Sequence, residues 1–168
     1  GAFSPDGKYL YFTNYAMYGK GFNKEGHDTC SPASGFDTSF LSRINLETNV
    51  IDALYPVGAV PKVVKVTPDN KYILVSNWCS YTVTVISVET QKTVKSIKIG
   101  RYPRGISISS DSKYAYVAEM GGNRIHRINL EDFTVSYIPI GSNPRAISLS
   151  ADDTKLYATL NISGKVIA

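Results

Sequence analysis

Lys62, Arg104 and Arg145 each directly follow a proline, namely Pro61, Pro103 and Pro144. Three cations in one recurring context are what an anion-binding rim needs. Ammonium and guanidinium groups around a concavity raise the local potential and bond carboxylate or phosphate oxygens. The alternative is that these long side chains lie over neighbouring segments and pair with carboxylates there. Cys30 and Cys79, the only two cysteines, can supply a disulfide or two thiols. Around them in sequence stand Tyr15, Tyr18, Trp78 and Tyr81, aromatic groups of the kind that contact sugars or proteins, or that cover a disulfide.

Metal chemistry has thinner support. Glu25, His27, Asp28 and Asp37 could hold calcium through carboxylates, or His27 and a reduced Cys30 could hold zinc, but their spacing matches no established metal motif. No metal site is assigned, and calcium is the one cofactor left open. Two histidines, His27 and His126, are too few for haem ligation or a multi-histidine metal centre within this chain. His126 is expected to be a packed or surface residue. There is no Ser-His-Asp arrangement, Gly-rich phosphate loop, Cys-x-x-Cys-His or pair of catalytic carboxylates, so no catalytic residue is assigned. Arg43 and Arg127 are expected in structural salt bridges. Asn161-Ile162-Ser163 fits a glycosylation sequon, a tripeptide common by chance.

Positioning these residues falls to a repeat. Gly58, Gly100 and Gly141 each open a Gly-x-x-Pro-basic segment, at spacings of 42 and 41 residues. Each opening leads into a short apolar strand, an Asp turn and a second strand, as in Val64-Lys65-Val66-Thr67-Pro68-Asp69-Asn70 before Tyr72–Asn77. The turn recurs at Ser4-Pro5-Asp6-Gly7, Ser110-Asp111-Ser112 and Ala151-Asp152-Asp153, which makes four copies. Twelve tyrosines, abundant Val, Ile, Ser and Thr, and 19% charged residues fit an all-β globular chain. A net charge of +4 spread along the chain does not point to nucleic acid, and no apolar run is long enough to span a membrane.

Tyr9-Leu10-Tyr11-Phe12-Thr13-Asn14 and Tyr72-Ile73-Leu74-Val75-Ser76-Asn77 resemble the Tyr-Val-Thr-Asn signature of YVTN-repeat β-propellers, of the surface-layer and lactonase-like kind. Four strands per repeat of about 41 residues is the period of a propeller blade. The expected fold is therefore all-β: about four consecutive four-stranded blades of a propeller that the resemblance implies to have about seven, the rest lying in a longer chain. Approximate blades are 1–57, 58–99, 100–140 and a truncated 141–168, with a loop insertion over 15–39. The third and fourth copies depart from the signature as Tyr116-Val117-Ala118-Glu119 and Tyr157-Ala158-Thr159-Leu160, so Glu119 reaches a loop where the others carry Asn or Leu.

In a blade, the opening and the loop between the second and third strands lie on one face. That places Lys62, Arg104 and Arg145 beside the insertion, Trp78, Tyr81 and Glu119. It also brings Cys30 and Cys79 into adjacent loops, where a disulfide implies an extracytoplasmic home, be it periplasm, cell surface or exterior. The favoured function is a secreted or surface binding and scaffold module. Its partners are expected to be a protein, a carbohydrate or a small anionic ligand, with Trp78, Tyr15, Tyr18, Tyr81 and Glu119 as contact candidates. The alternatives are a lactonase- or lyase-like enzyme and the propeller subunit of a periplasmic oxidoreductase.

Overall fold

The computed structural model describes residues 1–14 and 29–168. Its strands, in chain order, are β1 (Ala2–Phe3), β2 (Tyr9–Thr13), β3 (Ser39–Asn45), β4 (Val50–Val57), β5 (Pro61–Val66), β6 (Tyr72–Asn77), β7 (Thr82–Ser87), β8 (Thr93–Lys98), β9 (Pro103–Ile108), β10 (Tyr114–Glu119), β11 (Arg124–Asn129), β12 (Val135–Pro139), β13 (Pro144–Leu149), β14 (Leu156–Leu160) and β15 (Lys165–Ile167). They form four separate antiparallel sheets, each a run of sequence neighbours: β1 to β4, β5 to β8, β9 to β12 and β13 to β15. The chain is four consecutive blades of a β-propeller. One turn of 3-10 helix, Pro32–Ser34, lies in the described part of the insertion, and β3 begins at Ser39, at its end.

The cores lie between blades rather than within them. Tyr11, Leu41 and Tyr55 of the first blade pack on Val64, Ile73, Val75 and Ile86 of the second. Leu74, Val83, Val85 and Ile97 of the second pack on Ile106, Ala115, Val117 and Ile128 of the third. A blade flanked on both sides must be apolar on both sheet faces. Hence Ile73-Leu74-Val75 and Val83-Thr84-Val85-Ile86 are continuously buried, with no alternation of buried and exposed positions. The outermost strand β12 is exposed throughout.

The Asp turns use one hydrogen-bond scheme. Ser4 Oγ donates to Asp6 Oδ1 at 2.6 Å, and the N–H groups of Lys8 and Tyr9 return to Asp6 and Ser4. Ser109 with Asp111 and Ser150 with Asp152 repeat it at 2.7 and 2.6 Å. These bonds favour the ionised carboxylate: hydrogen bonds from the serines hold Asp6 and Asp111 below the ordinary value, and bonds from Ser150 and Thr154 bring Asp152 to about 2.

The opening glycines have a steric reason. A Cβ on Gly58 would stand 2.8 Å from Asn77 Cγ, one on Gly100 2.5 Å from Glu119 Oε1, and one on Gly141 2.5 Å from Leu160 Cδ1. Each opening thus lies directly over the last side chain of its blade's second strand. Two residues later the backbone takes φ near +56° at Val60, Tyr102 and Asn143, and the carbonyl there accepts the N–H of Trp78, Met120 or Asn161 at 2.9 to 3.1 Å. Openings and second-to-third-strand loops are thereby bonded together on one face in three successive blades.

Candidate functional site

On this face Cys30 and Cys79 form a disulfide, with Cα atoms 5.3 Å apart. The bond lies in a small buried cluster with Ala59, Val60 and Trp78, bordered by Phe36, Tyr102 and Met120. Tyr81 Oη donates to the Cys30 carbonyl at 2.8 Å, a second tie between the insertion and the next blade. Burial and then hydrogen bonding with Tyr102 raise the pKa of the Tyr81 phenol. The Tyr102 ring stacks on Trp78 at 4.6 Å and meets Tyr81 edge-on at 5.5 Å.

This arrangement corrects two contact candidates. Trp78 is only 3% exposed, because Tyr102 and the disulfide cover it; it is a core residue of the loop cluster. Glu119 is likewise buried, at 8% exposure, beneath Gly100 and Gly122. Tyr81 is half-buried, and Tyr15 and Tyr18 lie outside the described residues, as do Glu25, His27 and Asp28. Asp37, the fourth metal candidate, is exposed beside the open face of the first blade.

The three rim cations do not all line one recess. Each falls in an irregular step of its innermost strand, where pairing shifts between Pro61 and Val63, between the partners of Glu119 and Val117, and between Pro144 and Ile147. Lys62 lies over the Trp78 ring, with Nζ 4.9 Å from its centroid. Arg104 and Arg145 instead line one cavity of about 320 Å³ on the inner strands, together with Lys65, Val63, Ile106 and Ile147. The Arg104 guanidinium also stands 5.7 Å from the Trp78 ring, and Arg145 reaches Asn161 Oδ1 at 3.5 Å. Gly105 lets the inner strands close up around this cavity: a Cβ there would be 2.7 Å from the Arg145 carbonyl. Lys65, three residues beyond Lys62, was not singled out from sequence; it lines the cavity, and Lys62 does not.

Glu119 has its own constellation. Its Oε2 is 2.8 Å from His126 Nε2 and 3.3 Å from Arg124 Nε, while Oε1 accepts the Arg101 N–H at 3.2 Å. His126, expected as a packed or surface residue, is buried and paired. In the second blade the same positions hold Asn77, Thr82 and Thr84, with the Asn77 amide donating to both hydroxyls at 3.1 and 2.9 Å.

The two strand arginines differ. Arg43 makes the expected salt bridge, Nε and Nη2 donating to Asp52 at 2.8 and 3.1 Å, with the Tyr9 ring 4.3 Å from its guanidinium carbon. Burial lowers its pKa, but the bond to Asp52 and neighbouring Tyr55 more than offset this, so the value is raised. Burial also pushes Tyr11 up to about 12. Arg127 is exposed and lies over the Tyr114 ring at 5.0 Å, a cation–π contact in place of the expected ion pair.

Comparison with known proteins agrees with this fold. Residues 33–114 match the YNCE-like beta-propeller family. Antigen Lp49 of Leptospira interrogans is 35% identical over 74 residues, which is 44% of this chain and 16% of that protein. Among solved structures, hydrazine synthase of Kuenenia stuttgartiensis superposes with a TM-score of 0.78 at 26% identity, over 99% of this chain and 47% of its own. The dihydro-heme d1 dehydrogenase NirN, solved in complex with DHE, gives 0.72 at 15% identity, over 99% of this chain and 35% of its own. A functionally unknown protein from Desulfotomaculum acetoxidans gives 0.70 at 16% identity, covering 98% and 52%. The chain therefore spans about half or less of the length of each of these relatives. No helix among the described residues is long and apolar enough to cross a membrane.

Proposed function

We propose that this chain is part of an extracytoplasmic propeller that acts as a binding and scaffold module through its loop-bearing face. Within it, a small anion, or an anionic group of a protein or carbohydrate partner, is held at the cavity formed by Lys65, Arg104 and Arg145. The observation that carries the reading is that these three cationic residues line one recess of the inner strands. Low-dielectric walls focus their combined field on an anion more strongly than the same charges on a flat surface. The Cys30–Cys79 bond supports an oxidising compartment and gives the neighbouring loops a fixed geometry to present.

Titration of citrate or pyrophosphate into the full chain tests this. Binding that weakens at least tenfold in Arg104→Ala/Arg145→Ala, and falls with added salt, is the expected result. Equal affinity of wild type and double variant would contradict it. A second reading, a propeller that forms part of an enzyme, is supported by the 26% identity with hydrazine synthase over 99% of this chain. Co-purification of a visible-light-absorbing cofactor from native source material would favour that reading over a simple binding module.

A further inference from the structure

The buried Glu119 carboxylate is linked to the cavity by a short run of contacts. Its Oε1 holds the Arg101 N–H, and the Tyr102 carbonyl that follows accepts the Met120 N–H at 3.1 Å. The Tyr102 ring stacks on Trp78, the Arg104 guanidinium stands 5.7 Å from the same Trp78 ring, and Arg104 lines the cavity. There is no slack at the carboxylate end, since a Cβ on Gly100 or Gly122 would come within 2.5 or 2.7 Å of it. The opening over residues 100–104 and the loop over 120–122 thus both close onto Glu119.

The same positions in the second blade show that the fold can build this junction without charge, from Asn77, Thr82 and Thr84. The third blade has exchanged all three residues together, an acceptor facing two cationic or ionisable donors in place of an amide facing two hydroxyls. Burying the Glu119 carboxylate carries a desolvation cost, while the neutral set leaves the buried Asn77 Oδ1 without a hydrogen-bond partner, so each junction has its own cost. The distinct property of the ionic set is a stiff, charge-assisted hold on one opening segment.

We propose that Glu119 is a positioning residue for Arg104: with His126 and Arg124 it fixes the opening segment and, through the Tyr102–Trp78 stack, the place of the guanidinium at the channel cavity. The consequence for ligand affinity rests on the anion site proposed above; the structural part does not. The titratable and charged groups around Glu119 are His126 and Arg124 from β11, Arg101 from the opening, and Tyr137 of β12 opposite His126. From the second blade come Tyr81, which interacts with Arg101 and Tyr102, and Lys95, paired with the core residue Val85 on the side facing the third blade. Glu119→Gln removes the negative charge on which the Arg101 N–H, Arg124 and His126 converge.

Trp78 is the single tryptophan of the chain, so its emission reports on this junction directly. The experiment compares wild type, Glu119→Gln, and the triple variant Glu119→Asn/Arg124→Thr/His126→Thr, which carries the second blade's neutral set. Emission is read at neutral pH, and citrate is titrated at the same pH. The expected result is a shifted Trp78 emission in Glu119→Gln that the folded triple variant returns to the wild-type spectrum, with citrate affinity about fivefold weaker in Glu119→Gln and within about twofold of wild type in the triple variant. Should Glu119→Gln fail to fold, the triple variant carries the test. Emission of Glu119→Gln identical to wild type, or emission of the triple variant that departs from wild type, would overturn the proposal. If wild type binds no citrate, the anion site fails, and the emission comparison still decides the positioning claim.

Discussion

Replacing both cysteines, Cys30→Ala/Cys79→Ala, removes a link that closes a loop of 49 residues. In the chain-entropy description, a loop of that length restricts the unfolded ensemble by about 14 cal/mol/K, or about 4 kcal/mol at 25 °C. Both side chains are buried, at 4% and 1% exposure, so the alanines also lose packing against Val60 and Trp78, on the order of 1 kcal/mol. For a domain of this size, each kcal/mol moves the midpoint by about 2 to 4 °C, which gives a fall of roughly 10 to 20 °C. Thermal unfolding followed by circular dichroism, on wild type with and without reductant and on the double variant, measures it. The reduced wild type should fall nearly as far as the variant. A fall below about 3 °C in both would refute the reasoning, because it would mean that packing already restrains the 30–79 loop as tightly as the bond does.

Acid should weaken the fold through the Asp turns. Because the folded carboxylates of Asp6, Asp111 and Asp152 are held below their unfolded values, their contribution is complete above about pH 4 and is lost as pH falls toward 2, and Asp152→Asn should flatten part of that slope in denaturant titrations. Gly100→Ala should cost about 2 to 4 kcal/mol, since it adds a Cβ 2.5 Å from Glu119 at a φ of +108°, measurable as a lower denaturant midpoint. Asp52→Ala should destabilise by about 1 to 2 kcal/mol by leaving the mostly buried Arg43 guanidinium without its bidentate partner, whereas Arg127→Ala should stay within about 0.5 kcal/mol.

Much of the architecture was legible because it is local and repeated. The Gly-x-x-Pro openings, the Ser/Thr-x-Asp turns and the apolar runs between them mark strand ends and blade period without knowledge of tertiary contacts. The Cys30–Cys79 pairing followed from the shared face of adjacent loops. What could not be read was the direction of side chains at irregular steps. The bulges after Pro61, Pro103 and Pro144 break the alternation that assigns a residue to one side or the other, so Lys62 turns to Trp78 while Lys65 reaches the cavity. Trp78 and Glu119 were read as loop-tip groups for a related reason: an N–H bond from each succeeding loop to its opening folds the tip inward. A cross-strand signal for the Glu119 cluster was present in the sequence. Glu119 and Arg124 flank a four-residue hairpin loop and face each other in register, with His126 two residues further on. Reading that set against Asn77, Thr82 and Thr84 in the preceding repeat would have found it.

The central claim is that an anion is held on the inner wall between Arg104 and Arg145. Crystals of the full chain soaked in selenate, with anomalous difference maps, test it most directly. The account predicts a peak within hydrogen-bonding reach of both guanidinium groups and close to Lys65, absent from Arg104→Ala/Arg145→Ala crystals soaked in the same way. Selenate bound at other surface cations, with the inner wall empty at the same concentration, would contradict it.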